Sequence, residues 1–460
     1  MKTPSLRTLL AVGAAGVLAL SARAQVIELR ATINGAQENP AVNTPAEGNA
    51  VMLYDVGTNT FDLIISITGL TNTVTASHIH EGAVGSNGPV ATNLGGEAVY
   101  TRSGTTLTAT FRNVAHSGDR LRLIQGGAYF NLHTAANPGG EVRGQLIARP
   151  VRLVANLDVA QEAAAFPALN FSAVNNFGAA VVIYDPTANT VSLRHSLFNY
   201  SSTFTNSHIH TGAPGVSGGV NTQLGTNANA GAYNTANGHI SGSHEAVTYG
   251  GNPVELLTGL NYLNYHSQAF AGGQLRGQLT VSRETLNTRL GNLAVRGFVG
   301  AGEQVLIGGI SVQGTEPVRV LIAAKGPSLA AFGVTGAIPN PRLALFSGTT
   351  QIAVNDDVGA LVANSELSRI PAVPTNPLES ALVVVLPPGN YTAQVSSSAG
   401  TGVALLEVYD LRNVPTALAI ASLDPVSPKG DAPRAIAAAG ARPAPEFCVT
   451  TPLPAAVATR

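Results

Sequence analysis

Tryptophan is absent from this chain, cysteine occurs once, and charged residues make up only 11% of it. Each scarcity excludes something. The lone Cys448 cannot close an intramolecular disulfide, so stability must come from packed cores or bound ions. A formal net charge of −1 gives no electrostatic case for nucleic acid or for an anionic membrane surface. Beyond the apolar start of the chain, no uninterrupted hydrophobic run suits a membrane span, so none is expected in the mature protein. The motifs of catalysis are thin as well: no G-x-S-x-G nucleophile elbow is expected, and there is no G-x-x-x-x-G-K-[ST] loop, no H-E-x-x-H and no paired cysteine motif. The expectation is a protein that is not an enzyme.

What the chain has in quantity is glycine, 50 residues, with 27 prolines. A Gly-rich, weakly charged composition reads as β-strands joined by many turns, and 460 residues leave room for three domains. The N-terminus reads as a secretory signal over residues 1–24. Lys2 and Arg7 supply the positive start, Leu9 to Leu20 the apolar stretch, and Ala22-Arg23-Ala24 the small-x-small cleavage site. Cleavage near Ala24 would send the protein out of the cell or into the periplasm and cell envelope.

The chain then repeats itself. Ser77-His78-Ile79-His80 opens SHIHEGAVGSNGPV, and Ser207-His208-Ile209-His210 opens SHIHTGAPGVSGGV. YFNLHTAANPGGEVRGQL, from Tyr129 to Leu146, returns as YLNYHSQAFAGGQLRGQL, from Tyr262 to Leu279. His208 follows His78 by 130 positions and His266 follows His133 by 133, a period that means two whole domains rather than a solenoid. The boundaries read as 25–149 and 150–283. Phe61, Leu63, Ile65 and Ile67 alternate with their neighbours at period two, and Leu107, Ala109 and Phe111 do likewise. Gly57-Thr58-Asn59 and Ser103-Gly104 punctuate the runs. The fold class is therefore all-β: tandem antiparallel β-sandwich domains of Greek-key or immunoglobulin-like type. From 284 to 414 the vocabulary changes but stays β-rich, and Pro387-Pro388-Gly389-Asn390 marks a turn before a strand at Tyr391. Residues 415–460 form an Ala/Pro-rich tail that reads as disordered.

The two repeats resemble the CHRD domain, named after chordin. The resemblance rests on SHIHEGAVGSNGPV, on Tyr-x-Asn-x-His with Gly-Gly-Glu-x-Arg-Gly-Gln after it, and on Gln37-Glu38-Asn39-Pro40. It implies a secreted β-domain with a binding or cell-envelope structural role, toward an extracellular or cell-surface protein or polymer that the sequence does not name. The 284–414 segment resembles a β-rich module found at the ends of large exported bacterial proteins, through Val305 to Ser311 and Val318 to Leu329.

Two constellations carry chemistry. Residues at i and i+2 of a strand share a face, so His78 and His80 project together, as do Tyr129, Asn131 and His133. If the two strands are neighbours, His78, His80 and His133 converge, and His208, His210 and His266 do so in the second repeat. Three neutral imidazoles suit zinc or copper and leave one position open. The alternative is that they hydrogen-bond the following loop. All ten histidines precede Val281, which confines imidazole chemistry to the repeats. His195, in place of Ile65, is read as a core residue outside the site. Arg143 and Arg276 recur after a Gly-Gly turn and are expected to clamp Glu38 and Glu162, respectively, as intradomain ion pairs, the alternative being recognition of an anionic ligand. Glu81 and Glu141 become Thr211 and Gln274 in the second repeat, so a cation site that needs carboxylates would favour the first. Asp356-Asp357 reads as a solvated turn rather than a calcium loop.

Overall fold

Alternating apolar residues become strands wherever turn chemistry lets the chain return, and the Tyr-Asp corners show how. Asp55 Oδ1 accepts from the backbone N–H of Gly57 and Thr58, Asn59 takes a positive φ of 60°, and Tyr54 donates to Asn59 Oδ1 at 2.6 Å. The second repeat copies this corner with Tyr184, Asp185 and Asn189. The computed structural model describes residues 25–165, 175–200, 202–225, 232–282, 291–359, 361 and 367–412. The expected signal peptide, Cys448 and the 415–460 tail lie outside the described residues.

The first repeat contributes β1 (Val26–Asn34), β2 (Glu47–Asp55), β3 (Thr60–Thr68), β4 (Val74–Glu81), β5 (Val90–Gly95), β6 (Thr101–Ser103), β7 (Thr106–Ala115), β8 (Ala128–Thr134) and β9 (Val142–Ala148). They form one nine-stranded antiparallel sheet in the order β5-β4-β8-β9-β1-β2-β3-β7-β6. The sheet rolls up until its ends approach: Thr92 on β5 meets His116, just past β7, with Oγ1 and Nδ1 3.3 Å apart. Leu29, Met52, Leu63, Ile67, Phe130 and Leu146 fill the interior. The fold is thus the expected all-β, antiparallel and sandwich-like one, with both layers drawn from a single continuous sheet.

The second repeat contributes β10 (Val151–Asp158), β11 (Phe177–Asp185), β12 (Thr190–Phe198), β13 (Phe204–Thr211), β14 (Val220–Gly225), β15 (Ala232–Ala236), β16 (His239–Thr248), β17 (Asn261–Ser267), β18 (Leu275–Gln278) and β19 (Thr280–Val281). The order β14-β13-β17-β18-β10-β11-β12-β16-β15 reproduces the first sheet strand for strand, with β19 also pairing β10. Domain-length repetition has therefore preserved topology and not only motifs.

The third segment is a two-sheet sandwich. Asn292–Val299, Gly402–Asp410, Val318–Lys325 and Ser380–Leu386 make one sheet in that spatial order. Leu306–Val312, Gly389–Ala399, Asn340–Ser347 and Thr350–Asn355 make the other. Ile322, Leu345, Val384 and Val395 lie between them. Asp356 and Asp357 are exposed, and Asp356 accepts from the Ser398 hydroxyl, as a solvated turn would.

The third sandwich packs on the outer face of the second repeat. Val154, Ala179, Val181 and Val385 form a shared apolar cluster, which is why β12 is buried on both faces while Ile64 of the matching β3 stays exposed. Ser380–Leu386 is an edge strand, and an open edge needs cover. Here the Val385 N–H donates to Ser196 Oγ at 2.9 Å, and Ser196 in turn meets Ser241 Oγ at 2.7 Å. Ser196→Ala would leave a buried N–H without an acceptor. Chemical denaturation of the full chain should show a loss of about 1–3 kcal/mol, whereas Ser66→Ala, at the matching open position in the first repeat, should change little.

Candidate metal centre

β4 and β8 are neighbours, and their register puts His78 opposite Asn131, His80 opposite Tyr129, and His133 opposite Ala76. Irregularities in β4 before Ala76 and against β5 at Ser77/His78 adjust the pleat there. The three rings then meet on one face. Centroids are 5.0 Å apart for His78–His133, 5.3 Å for His78–His80 and 5.9 Å for His80–His133. In the second repeat His208, His210 and His266 are spaced 4.8, 5.5 and 6.0 Å apart. In both trios each residue offers a ring nitrogen, and these atoms lie within 4.8 Å of one another.

The far side of each ring decides what the near side can do. His80 Nδ1–H donates to Gly88 O at 2.9 Å and His133 Nδ1–H to Pro138 O at 3.0 Å. With those protons committed, the Nε2 atoms of His80 and His133 carry lone pairs, and both are buried without a partner, as is His78 Nδ1. The second repeat repeats the scheme: His210 donates to Gly218 O at 2.9 Å and His266 to Ala271 O at 3.0 Å. There, with His266 Nδ1–H committed to Ala271 O, His208 Nδ1–H donates to His266 Nε2 at 3.0 Å, and of this trio only His210 Nε2 is buried without a partner. Burial, with help from neighbouring imidazoles, holds His78 below the ordinary histidine range and pushes His208 down to about 4. Burial also lowers His80, His210 and His266. Neutral imidazoles that converge in this way could hold a metal, and the nitrogen that holds the loop is the one opposite to the nitrogen such a metal would use.

A second layer locks the Gly-rich loop over the trio. Tyr129 stacks on His80, with planes 10° apart, and its hydroxyl accepts from Gly88 N–H at 3.1 Å. The Arg143 guanidinium lies 3.4 Å from the Tyr129 ring centroid and donates to Ala83 O at 2.9 Å. Gln145 Nε2 donates to Gly82 O and Gly126 O at 2.9 and 2.8 Å. Tyr262, Arg276 and Gln278 make the matching contacts with Gly218, Ala213 and Gly212.

The CHRD domain matches residues 29–146 and again 153–279, more than half of the chain. The chain belongs to the CHRD-domain family. Both histidine trios and both Arg-Gly-Gln segments lie inside the matched CHRD repeats, and the third sandwich lies outside them. Membership supports a binding role rather than a catalytic one. A comparison with curated proteins finds no match.

Several expectations need correction. Arg143 does not clamp Glu38, nor Arg276 Glu162: among the described residues no ion pair joins them, and the charges act only at longer range. The reason is the register. Arg143 faces Asn131 across β8–β9, and stacking on Tyr129 draws its head toward the loop carbonyls instead. Left without a direct cation, Glu38 and Glu162 are buried, and desolvation pushes each up to about 7 against the pull of its arginine and of Asn131 or Asn264. The carboxylates peculiar to the first CHRD repeat are also engaged elsewhere. Glu81 accepts from Asp119 N–H, and Glu141 accepts from Thr44, Asn72 and Thr134. His195 is buried in the core as expected, its ring 5.2 Å from Tyr265, and burial pushes it down to about 3. Gly215-Val216-Ser217-Gly218-Gly219 spells G-x-S-x-G, but it lies in the loop between β13 and β14 with no helix after it, so it is not a nucleophile elbow. Sequence reasoning missed the loop-holding of Gln145 and Gln278, although the repeated Arg-Gly-Gln-Leu was the available signal.

Two outcomes follow. A raised carboxyl favours the folded state while protonated, so the contribution of Glu38 and Glu162 is full below about pH 4.5 and is lost as pH rises to about 7. The depressed histidines act oppositely, losing stability as pH falls below about 6.5. Glu38→Gln with Glu162→Gln should therefore flatten the decline between pH 4.5 and 7 in thermal unfolding; an unchanged profile would refute the assignment. Gly88→Ala would place a Cβ 1.5 Å from Glu81 O and displace the carbonyl that orients His80. It should cost about 2–3 kcal/mol in urea denaturation, against about 0.5 kcal/mol or less for Gly139→Ala, where nothing lies within 4 Å.

Proposed function

We propose that this CHRD-domain protein is an exported, non-catalytic binding protein whose two repeats each take up one zinc or copper ion. The observation that carries the reading is the twice-built convergence of three imidazoles, with the opposite nitrogens of His80, His133, His210 and His266 tied to backbone carbonyls. A metal-ligating histidine ordinarily donates its other N–H to such an acceptor, which fixes tautomer and ring orientation. An imidazole trio with one open position suits zinc or copper rather than calcium or magnesium, which prefer oxygen.

Export is supported by the sequence of residues 1–24 and by the family. No helix among the described residues is long and apolar enough to cross a membrane. The third sandwich, fused to the outer face of the second repeat, serves as the spacer or attachment module toward an extracellular or cell-surface protein or polymer.

Metal analysis by mass spectrometry of protein purified without chelator tests the reading. About two equivalents of zinc or copper are expected, falling by one when His78, His80 and His133 are all changed to Ala. A folded wild type without metal, even after incubation with excess zinc or copper, would overturn it and leave the histidines as loop-holding residues only.

A further inference from the structure

The two trios share a plan but not a setting. In the first repeat only His80 is fully buried, while His78 and His133 are half-buried, their inward nitrogens shielded. In the second all three are buried. His208 Nδ1 and His266 Nε2 are also held together there by a hydrogen bond of 3.0 Å, near the roughly 3.3 Å spacing that tetrahedral zinc requires, and a metal would displace its proton.

The supports differ in the same direction. Gln223 stands opposite His208 in the β13–β14 register, and its side chain favours the protonated imidazole against the burial that lowers it. Its counterpart opposite His78 is Asn93, whose Oδ1 instead accepts from Gly95 N–H, and His78 Nδ1 has no partner. The loop that supplies the carbonyl for His266 is pinned by Phe270, which packs against the core. In the first repeat the same loop carries Asn137 and Pro138.

We propose that the two sites do different jobs: the first repeat holds an exchanging metal whose fourth position takes a small ligand from outside, and the second holds a shielded, structural one whose fourth position outside ligands do not reach. The distinction follows from coordination chemistry, in which a structural site is shielded and braced while a working site leaves a position accessible. It rests on the metal reading above. The fourth ligand at the first site would be a small donor such as water, an anion or a partner's imidazole or carboxylate.

The test loads the full mature chain with Co²⁺ and reads its visible spectrum while azide is added, then follows release into excess EDTA. Two single-site variants separate the repeats: His266→Ala keeps the first site and His133→Ala keeps the second. Azide should perturb the spectrum of His266→Ala and leave that of His133→Ala unchanged. EDTA should strip the wild type in two phases at least tenfold apart, with His266→Ala showing only the fast one. Gln223→Asn, which gives His208 the first repeat's neighbour, should speed the slow phase without altering the number of bound ions. Equal azide responses, a single release phase or the reverse order would overturn the proposal. A folded protein that takes up no Co²⁺, Zn²⁺ or Cu²⁺ at all would fail the metal reading itself and the proposal with it. Should either single-site variant fail to fold by circular dichroism, the phases of the wild type and of Gln223→Asn still decide: one phase, or no change, sinks it.

Discussion

Everything on the polar face of each repeat depends on one pairing register, that of the His-x-His strand against the strand carrying the third histidine. Side chains alternate faces along a strand, so a slip of one residue would send every imidazole into the core and every core residue to the surface. The apolar residues between the histidines forbid that slip. Ile79, Phe130 and Leu132 are fully buried on the opposite face, and Ile209 and Leu263 repeat the arrangement. The hydrophobic side of the sheet thus positions the histidine side.

A second constraint is the cost of burying polar groups together. Arg143 and Arg276 are almost wholly buried without a direct carboxylate, and they are satisfied by loop carbonyls and a tyrosine face. That solution ties down the Gly-rich loop, whose carbonyl orients His80 or His210. Stack, loop and histidine therefore form one mechanical unit. The same desolvation holds His78 and His208 below the ordinary histidine range and leaves Glu38 and Glu162 about half protonated at neutral pH.

Duplication has kept strand order and networks while letting surroundings diverge. The first repeat shows one face of β3 to solvent, whereas the second covers the matching face with the third sandwich and uses Ser196 to cap an open strand edge. Inside, Ile65, Phe111, Leu70 and Leu132 become His195, His244, Tyr200 and Tyr265, a change of core chemistry that leaves the backbone register intact.

The sequence by itself determined strand character, the two-domain period and the sharing of a face by His78 with His80 and by Tyr129, Asn131 and His133, because these follow from local periodicity and from repetition. It could not determine that one sheet supplies both layers of each repeat, since strand order depends on contacts between residues far apart in the chain. Nor could it foresee the fate of the arginines. Glu38 and Arg143 recur as a pair in both repeats, yet the fold sets the guanidinium on Tyr129 and the loop carbonyls. Recurrence reports that two residues matter to one structure; which atoms meet is settled by the register of β8 and β9 and by the path of the loop above them. The contrast between a half-buried and a shielded trio is likewise tertiary, because it depends on burial, on Gln223 and on Phe270, none of which the His-x-His motif contains.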